Sequence, residues 1–344
     1  MKALHQRAAR WAAAASFVLA LAGCGGGGGG GAGDSAGSGG SFAGSEPDAR
    51  NGSYTLIAAD AREYTLILNF NARAYQLTGN GVDQAGTFTD EADAFHFQPG
   101  NASGASGSST TRFTMATDAA IGELVLPAGT VPFIAARKFA TALADATGTY
   151  DFLGRTVDTS GAAANTTIQQ AEISAGGELR TCEDAAIHTI ATCTLVSTGA
   201  LSVSGNVFTA ATSAGNVPFR VALIGSDKVF LRASASSGTT RRFIVGTPAT
   251  ATFTGASFVG GTTEPAWGTV TLTATGFSST GTAPNGTAST TTGTAASAGI
   301  ESIRLVTTAS AGNFFATRSS ELGVVVAGRD SVAAPGFMAI GKKQ

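Results

Sequence analysis

Three histidines, three cysteines and a few clustered carboxylates are the residues of this 344-residue chain whose types suit chemistry. His5 lies in a basic N-terminal segment, which leaves His96 and His188 as candidate general bases. Either would serve a Ser-His-Asp relay if it met an activated serine and an orienting carboxylate. Serines and threonines are so numerous that spacing singles out none of them. Gly33-Asp34-Ser35-Ala36-Gly37 matches the G-x-S-x-G pattern of serine hydrolases, but that serine needs a strained strand-to-helix turn. Its setting is a glycine tract, which supplies no such turn. His96 alternates with Phe95 and Phe97, which places it on the solvent face of a strand with the two aromatics opposite.

Asp90, Glu91 and Asp93 form the densest acidic cluster, at an expected hairpin loop. Three carboxylates are a start toward a calcium site, yet the glycine and terminal glutamate of an EF-hand loop are missing. Nothing in the carboxylate spacing argues for the facing pair that glycoside hydrolysis needs. Cys182, His188 and Cys193, with Glu183 and Asp184 between them, offer zinc-ligating atoms, though a fourth ligand and two reduced thiols would be required. Gly25 to Gly31 satisfies phosphate-loop patterns only trivially, since no strand and helix flank it. No catalytic residue, metal site or cofactor site is singled out.

The N-terminus carries a more specific pattern. Lys2, Arg7 and Arg10 give a positive start, and the 11 residues Trp11 to Leu21 follow without a charge. That run is too short to cross a hydrocarbon core of about 30 Å as a helix and suits a signal-peptide h-region. Leu21-Ala22-Gly23-Cys24 closes it and resembles the lipobox of bacterial lipoproteins. The resemblance covers residues 1–24. It implies removal of residues 1–23, lipidation of Cys24 including an acyl chain such as palmitate, and anchoring in a membrane. Each buried CH₂ contributes about 0.8 kcal/mol, so several chains hold firmly. In this family an Asp after the cysteine favours inner-membrane retention, and Gly25 stands there instead, so outer-membrane sorting is expected. With Cys24 lipidated, Cys182 and Cys193 remain as an even pair in an exported protein, which points to a disulfide closing a 12-residue loop. Such a bond stabilises by about 3 kcal/mol in the chain-entropy model.

The elements that must position these residues read as strands. Only 13% of residues are charged, 43% are hydrophobic and the net charge is −2, which excludes a wholly disordered chain and gives no basic face for nucleic acid. Gly25 to Arg50 is a Gly/Ser-rich tether with a random-coil span of about 28 Å. From Asn51 onward, short alternating runs such as Tyr64–Phe70 are broken by clusters such as Gly79-Asn80-Gly81. Lys138 to Asp145 is the best helical candidate, at two turns. Gly52-Ser53-Tyr54 recurs as Gly148-Thr149-Tyr150, and Val131-Pro132-Phe133 as Val217-Pro218-Phe219, at offsets of 96 and 86 residues. A weaker third copy opens at Trp267-Gly268-Thr269.

The sequence therefore predicts an all-β protein of two or three tandem antiparallel β-meander modules, as small barrels or sandwiches, with a β-propeller as the alternative. The divisions are 1–23 signal peptide, 24–50 tether, 51–147 module 1, 148–246 module 2 and 247–344 module 3. Thr, Ser, Ala and Gly dominate 276–299, which reads as a mobile loop. The expected role is a non-enzymatic binding or structural protein, lipid-anchored in the outer membrane through Cys24, with an envelope protein or glycan as partner. Two alternatives stand beside it. One is an envelope hydrolase of glycans or esters. The other is a carrier of a small apolar ligand, which requires a barrel with an open interior above about 300 Å³ lined by Phe and Leu.

Overall fold

The computed structural model describes residues 48–99, 111–126, 129–158, 163–235, 240–250, 252–328 and 336–344. Cys24 and the Gly33–Gly37 motif lie outside them. The first barrel runs β1 (Gly52–Ala58), β2 (Arg62–Asn69), β3 (Ala74–Gly79), β4 (Val82–Asp90), β5 (Phe95–Pro99), β6 (Arg112–Ala116), β7 (Ala119–Leu126) and β8 (Gly129–Ala136). A single helical turn, α1 (Leu143–Ala146), precedes the second. That barrel runs β9 (Gly148–Asp158), β10 (Ala163–Ile173), β11 (Glu178–Cys182), β12 (Val196–Ser204), β13 (Val207–Thr212), β14 (Gly215–Ile224), β15 (Asp227–Ala235) and β16 (Thr240–Pro248). The third runs β17 (Ala256–Thr262), β18 (Trp267–Leu272), β19 (Gly276–Thr282), β20 (Ala288–Ser297), β21 (Arg304–Thr308), β22 (Gly312–Arg318), β23 (Leu322–Ala327) and β24 (Met338–Lys343).

Each set of eight pairs antiparallel with its neighbours, and its first strand closes on its last. Closure leaves no strand edge to pair with another chain, and it excludes the propeller. Register follows from alternation. In β2, Tyr64, Leu66 and Leu68 are buried while Thr65 and Ile67 are exposed, and the first three oppose Leu56, Tyr54 and Gly52 of β1. Asn80 and Gly81 both take positive φ, at 50° and 81°, which is the backbone a tight β3–β4 hairpin demands.

Four expectations are corrected. The 276–299 segment is not a mobile loop; it forms β19 and β20, paired over seven positions from Gly276↔Thr294 to Thr282↔Ala288. Its Asn285-Gly286 turn, with Gly286 at φ 80°, makes the hairpin. Trp267 does not open the third barrel, because β17 precedes it and Trp267 begins the second strand. The V-P-F echo is not a shared position either: Val131–Phe133 lies in β8, the last strand of its barrel, and Val217–Phe219 in β14, the sixth of its own. The helical candidate Lys138–Asp145 shrinks to α1, since Phe139 bridges to Ala222 of β14 and holds the chain extended.

The interiors of the first two barrels are filled by rings. Phe113 packs at 4.5 Å from Phe97 and 5.0 Å from Phe95 in the first. Phe230 stacks at 4.3 Å from Phe152 and 4.5 Å from Phe219 in the second. The outward faces are apolar too where barrels meet. Ile57, Ile121 and Ile134 form one cross-strand row on β1, β7 and β8, all fully buried. They share a contiguous core with Leu153, Phe243 and Val245 of the second barrel and Val324 and Ile340 of the third.

Candidate functional site

The third barrel differs from the other two on its inner face. Cross-strand pairs run Gly323↔Gly341, Gly341↔Gly260, Gly260↔Gly268 and Gly268↔Gly281, so five adjacent strands present glycine at one row of inward positions. Where the first barrel sets Phe88 against Phe97 and the second Phe208 against Phe219, this row has no side chain. Two of the glycines are also required by the backbone. A Cβ on Gly260 would strike the carbonyl of Ile340, and one on Gly268 that of Thr280. The result is a cavity of about 580 Å³. Phe258, Leu272, Phe277, Phe314 and Phe337 supply its apolar walls, and Thr262, Glu264, Ser289 and Thr291 sit toward the β17–β18 and β19–β20 turns. The opposite end is plugged by Phe253, whose ring lies 4.7 Å from the Arg304 guanidinium and 5.3 Å from that of Arg318.

Beside the cavity mouth, the first barrel contributes a buried acid. Glu123 of β7 is 1% exposed and accepts the backbone N–H of Thr262, while its Oε2 has no partner. A Cβ on Gly261 would meet this side chain, so the glycine there on β17 makes room for it. Burial pushes the carboxyl up to about 7, against the pull of the Thr262 N–H and Arg112.

The residues first considered for chemistry are held elsewhere and apart. Cys182 and Cys193 are joined in a disulfide with Cα atoms 5.7 Å apart, across the loop between β11 and β12. With both sulfurs in that bond neither is a thiolate, so the zinc reading with His188 is overturned. Asp184 organises the same loop by accepting the N–H groups of Thr194 and Leu195, at 2.8 and 2.9 Å, and the Thr194 hydroxyl at 2.8 Å. Those bonds hold its carboxyl below the usual carboxylate range. In the acidic cluster, Asp90 pairs with Arg73 and Glu91 with Arg112, each at 2.5 Å. Arginines, not a metal ion, thus neutralise two of its three carboxylates. His96 is half-buried beside inward Phe95 and Phe97; its Nδ1 lies 3.1 Å from Gln98 Nε2 and 3.6 Å from Glu91 Oε1. Neither histidine hydrogen-bonds a serine among the described residues.

Sequence reasoning missed the glycine row. Its signal was available in β18, β19 and β24, where glycines sit inside the strands, but the cross-strand register that aligns them is a property of the closed barrel. No protein-family model and no curated protein matches the chain. A solved structure to which it is similar is a vaccine-antigen mutant of transferrin binding protein B from Haemophilus parasuis Hp5, at 8% identity and a TM-score of 0.27. The match covers 84% of this chain, which spans 66% of the length of that one. A likeness this slight bears on neither partner nor activity.

Proposed function

We propose that this chain is a binding protein of the bacterial cell envelope, lipid-anchored to the outer membrane through Cys24, whose third barrel takes up a small apolar ligand. The cavity of about 580 Å³ carries this reading. It falls within the about 300–1,000 Å³ of small-molecule sites, and its composition is theirs: apolar walls with a few polar groups at one end. In the two neighbouring barrels of the same strand number aromatic rings fill the middle of the interior, so strand count alone does not leave the third open. The Gly/Ser tether behind Cys24 supports the anchored half of the reading, since it would hold the barrels just off a membrane.

A neutral fluorophore such as N-phenyl-1-naphthylamine is expected to bind saturably with one site per chain. Gly281→Leu is the filling variant, because a Cβ there meets only Ala266 and Ser289 at 3.7 and 3.9 Å. It should weaken binding at least tenfold while thermal unfolding is unchanged. Equal binding by wild type and variant, or no saturable binding, would sink the cavity as a site. The anchor is tested separately in a native bacterium. Cys24→Ala should lose palmitate-analogue label and leave the membrane fraction, and persistent labelling in that variant would refute lipidation at Cys24.

A further inference from the structure

The open end of the second barrel carries a different chemistry from the third. Alternation fixes which residues point inward. Phe230 and Ile244 are buried in the aromatic interior, so Arg232 and Arg242, each two residues along the same strand, project into the same lumen. Arg232 opposes Ile244, and Ser234 opposes Arg242, which makes the two arginines a diagonal pair on adjacent strands. Thr156 faces Arg242 across the β9–β16 pairing, and Thr181 shares the inner face with Ala171. This half of the lumen is thus lined by two cations and hydroxyls, with the carboxylates of Asp158 and Glu183 following Thr156 and Thr181 at its edge.

Two like charges side by side in a partly closed barrel call for a counter-charge. Neither arginine makes an ion pair with a carboxylate among the described residues. The Arg232 Nε–H donates to the Ser234 hydroxyl at 2.8 Å, and the buried Nε of Arg242 has no partner. Burial, reinforced by the neighbouring Arg242, pushes the Arg232 guanidinium down to about 10. Glu183 attracts Arg232 through space, but its Oε1 accepts the Thr181 hydroxyl at 2.8 Å. Asp158 ends β9 at the rim.

We infer that Arg232 and Arg242 form an oxyanion-binding site in the mouth of the second barrel, suited to a carboxylate, phosphate or sulfate group on a small molecule. Guanidinium forks present paired N–H donors that match two oxygens of one such group, and the surrounding hydroxyls supply further donors. A bound oxyanion removes the mutual repulsion of the pair and gives the Arg242 Nε–H an acceptor. The site is independent of the third-barrel cavity, and its failure would leave that reading untouched.

The probe is inorganic phosphate, titrated calorimetrically at constant ionic strength against sodium chloride. Wild type should bind one phosphate per chain saturably. Arg242→Met and Arg232→Met should each weaken binding at least tenfold, Arg242→Lys less, and the surface variant Arg73→Met not at all. Should a Met variant fail to fold, the arginine Nε–H resonances of the wild-type protein give the same answer: those of Arg232 and Arg242 should shift with phosphate and not with chloride. Absence of saturable binding, equal binding by the Met variants, or resonances that ignore phosphate would each overturn the site.

Discussion

Phe113→Ala is expected to lower the free energy of unfolding by about 3–5 kcal/mol, the range for removing a buried aromatic from a core that does not collapse. Phe113 is fully buried, and its ring is surrounded by four others, with centroids at 4.5 Å for Phe97, 5.0 Å for Phe95, 5.4 Å for Phe88 and 6.3 Å for Phe70. Rings meeting edge-on and stacked on fixed strands have little freedom to close the gap. Gly122 opposes Phe113 on β7, and a Cβ there would press on the Phe113 backbone, so the position is set from behind as well. Phe113→Leu keeps most of the volume and should lose less. Denaturant unfolding measures both, and a loss below about 1 kcal/mol for the alanine would mean that this interior repacks freely.

The second large effect is a pH dependence. Glutamate titrates ordinarily near 4.5, and in this fold Glu123 is raised to about 7 because burial disfavours its charge. The folded protein therefore holds the proton more tightly than the unfolded chain. The stability this contributes is complete below about 4.5, declines above it, and is lost as the pH rises through about 7. Across that window the change amounts to about 3 kcal/mol. Arg112 on β6 is the nearby cation, itself paired with Glu91; of the other strands packed on β7, β8 and β17 carry no charged residue and β24 carries Lys342 and Lys343. Glu123→Gln keeps the shape and the Thr262 contact without the titration. Relative to wild type it should gain stability between about pH 4.5 and pH 7 and level off above that. Asp60 and Asp151, also raised by burial, titrate alike in both proteins and cancel in the difference. Parallel stability curves for the two proteins would show that the buried carboxyl does not ionise in this range.

Much of the architecture was legible because the first two barrels obey alternation. Tyr64–Phe70 and the Gly79-Asn80-Gly81 turn read directly as a strand and its hairpin. The third barrel was harder for the reason that makes it interesting. Strands β19 and β20 need few apolar residues, since their inward positions face a cavity and many of their outward ones face water, so a pattern tuned to packed cores reads them as loop. The abundant β-branched threonines and the Asn285-Gly286 pair were the better guide. The site was less legible still. Glycines on five strands converge only through register, and Glu123 in a run of apolar residues gives no sign that another barrel's Thr262 covers it. Trp267 and the V-P-F triplets misled because short matches report strand composition, which recurs at inequivalent places in a meander.

The row of Ile57, Ile121 and Ile134, buried outside its own barrel, bears on how this molecule comes apart. Beads on a string separate when the string is cut. Here the connection at 137–147 is a covalent convenience, because the apolar faces on either side of it already hold one another. Excised alone, the first barrel would offer those isoleucines to water and to any other exposed surface. Supplied as two fragments, the halves have what they need to reassociate, which makes this chain a natural candidate for split-protein complementation rather than for domain dissection.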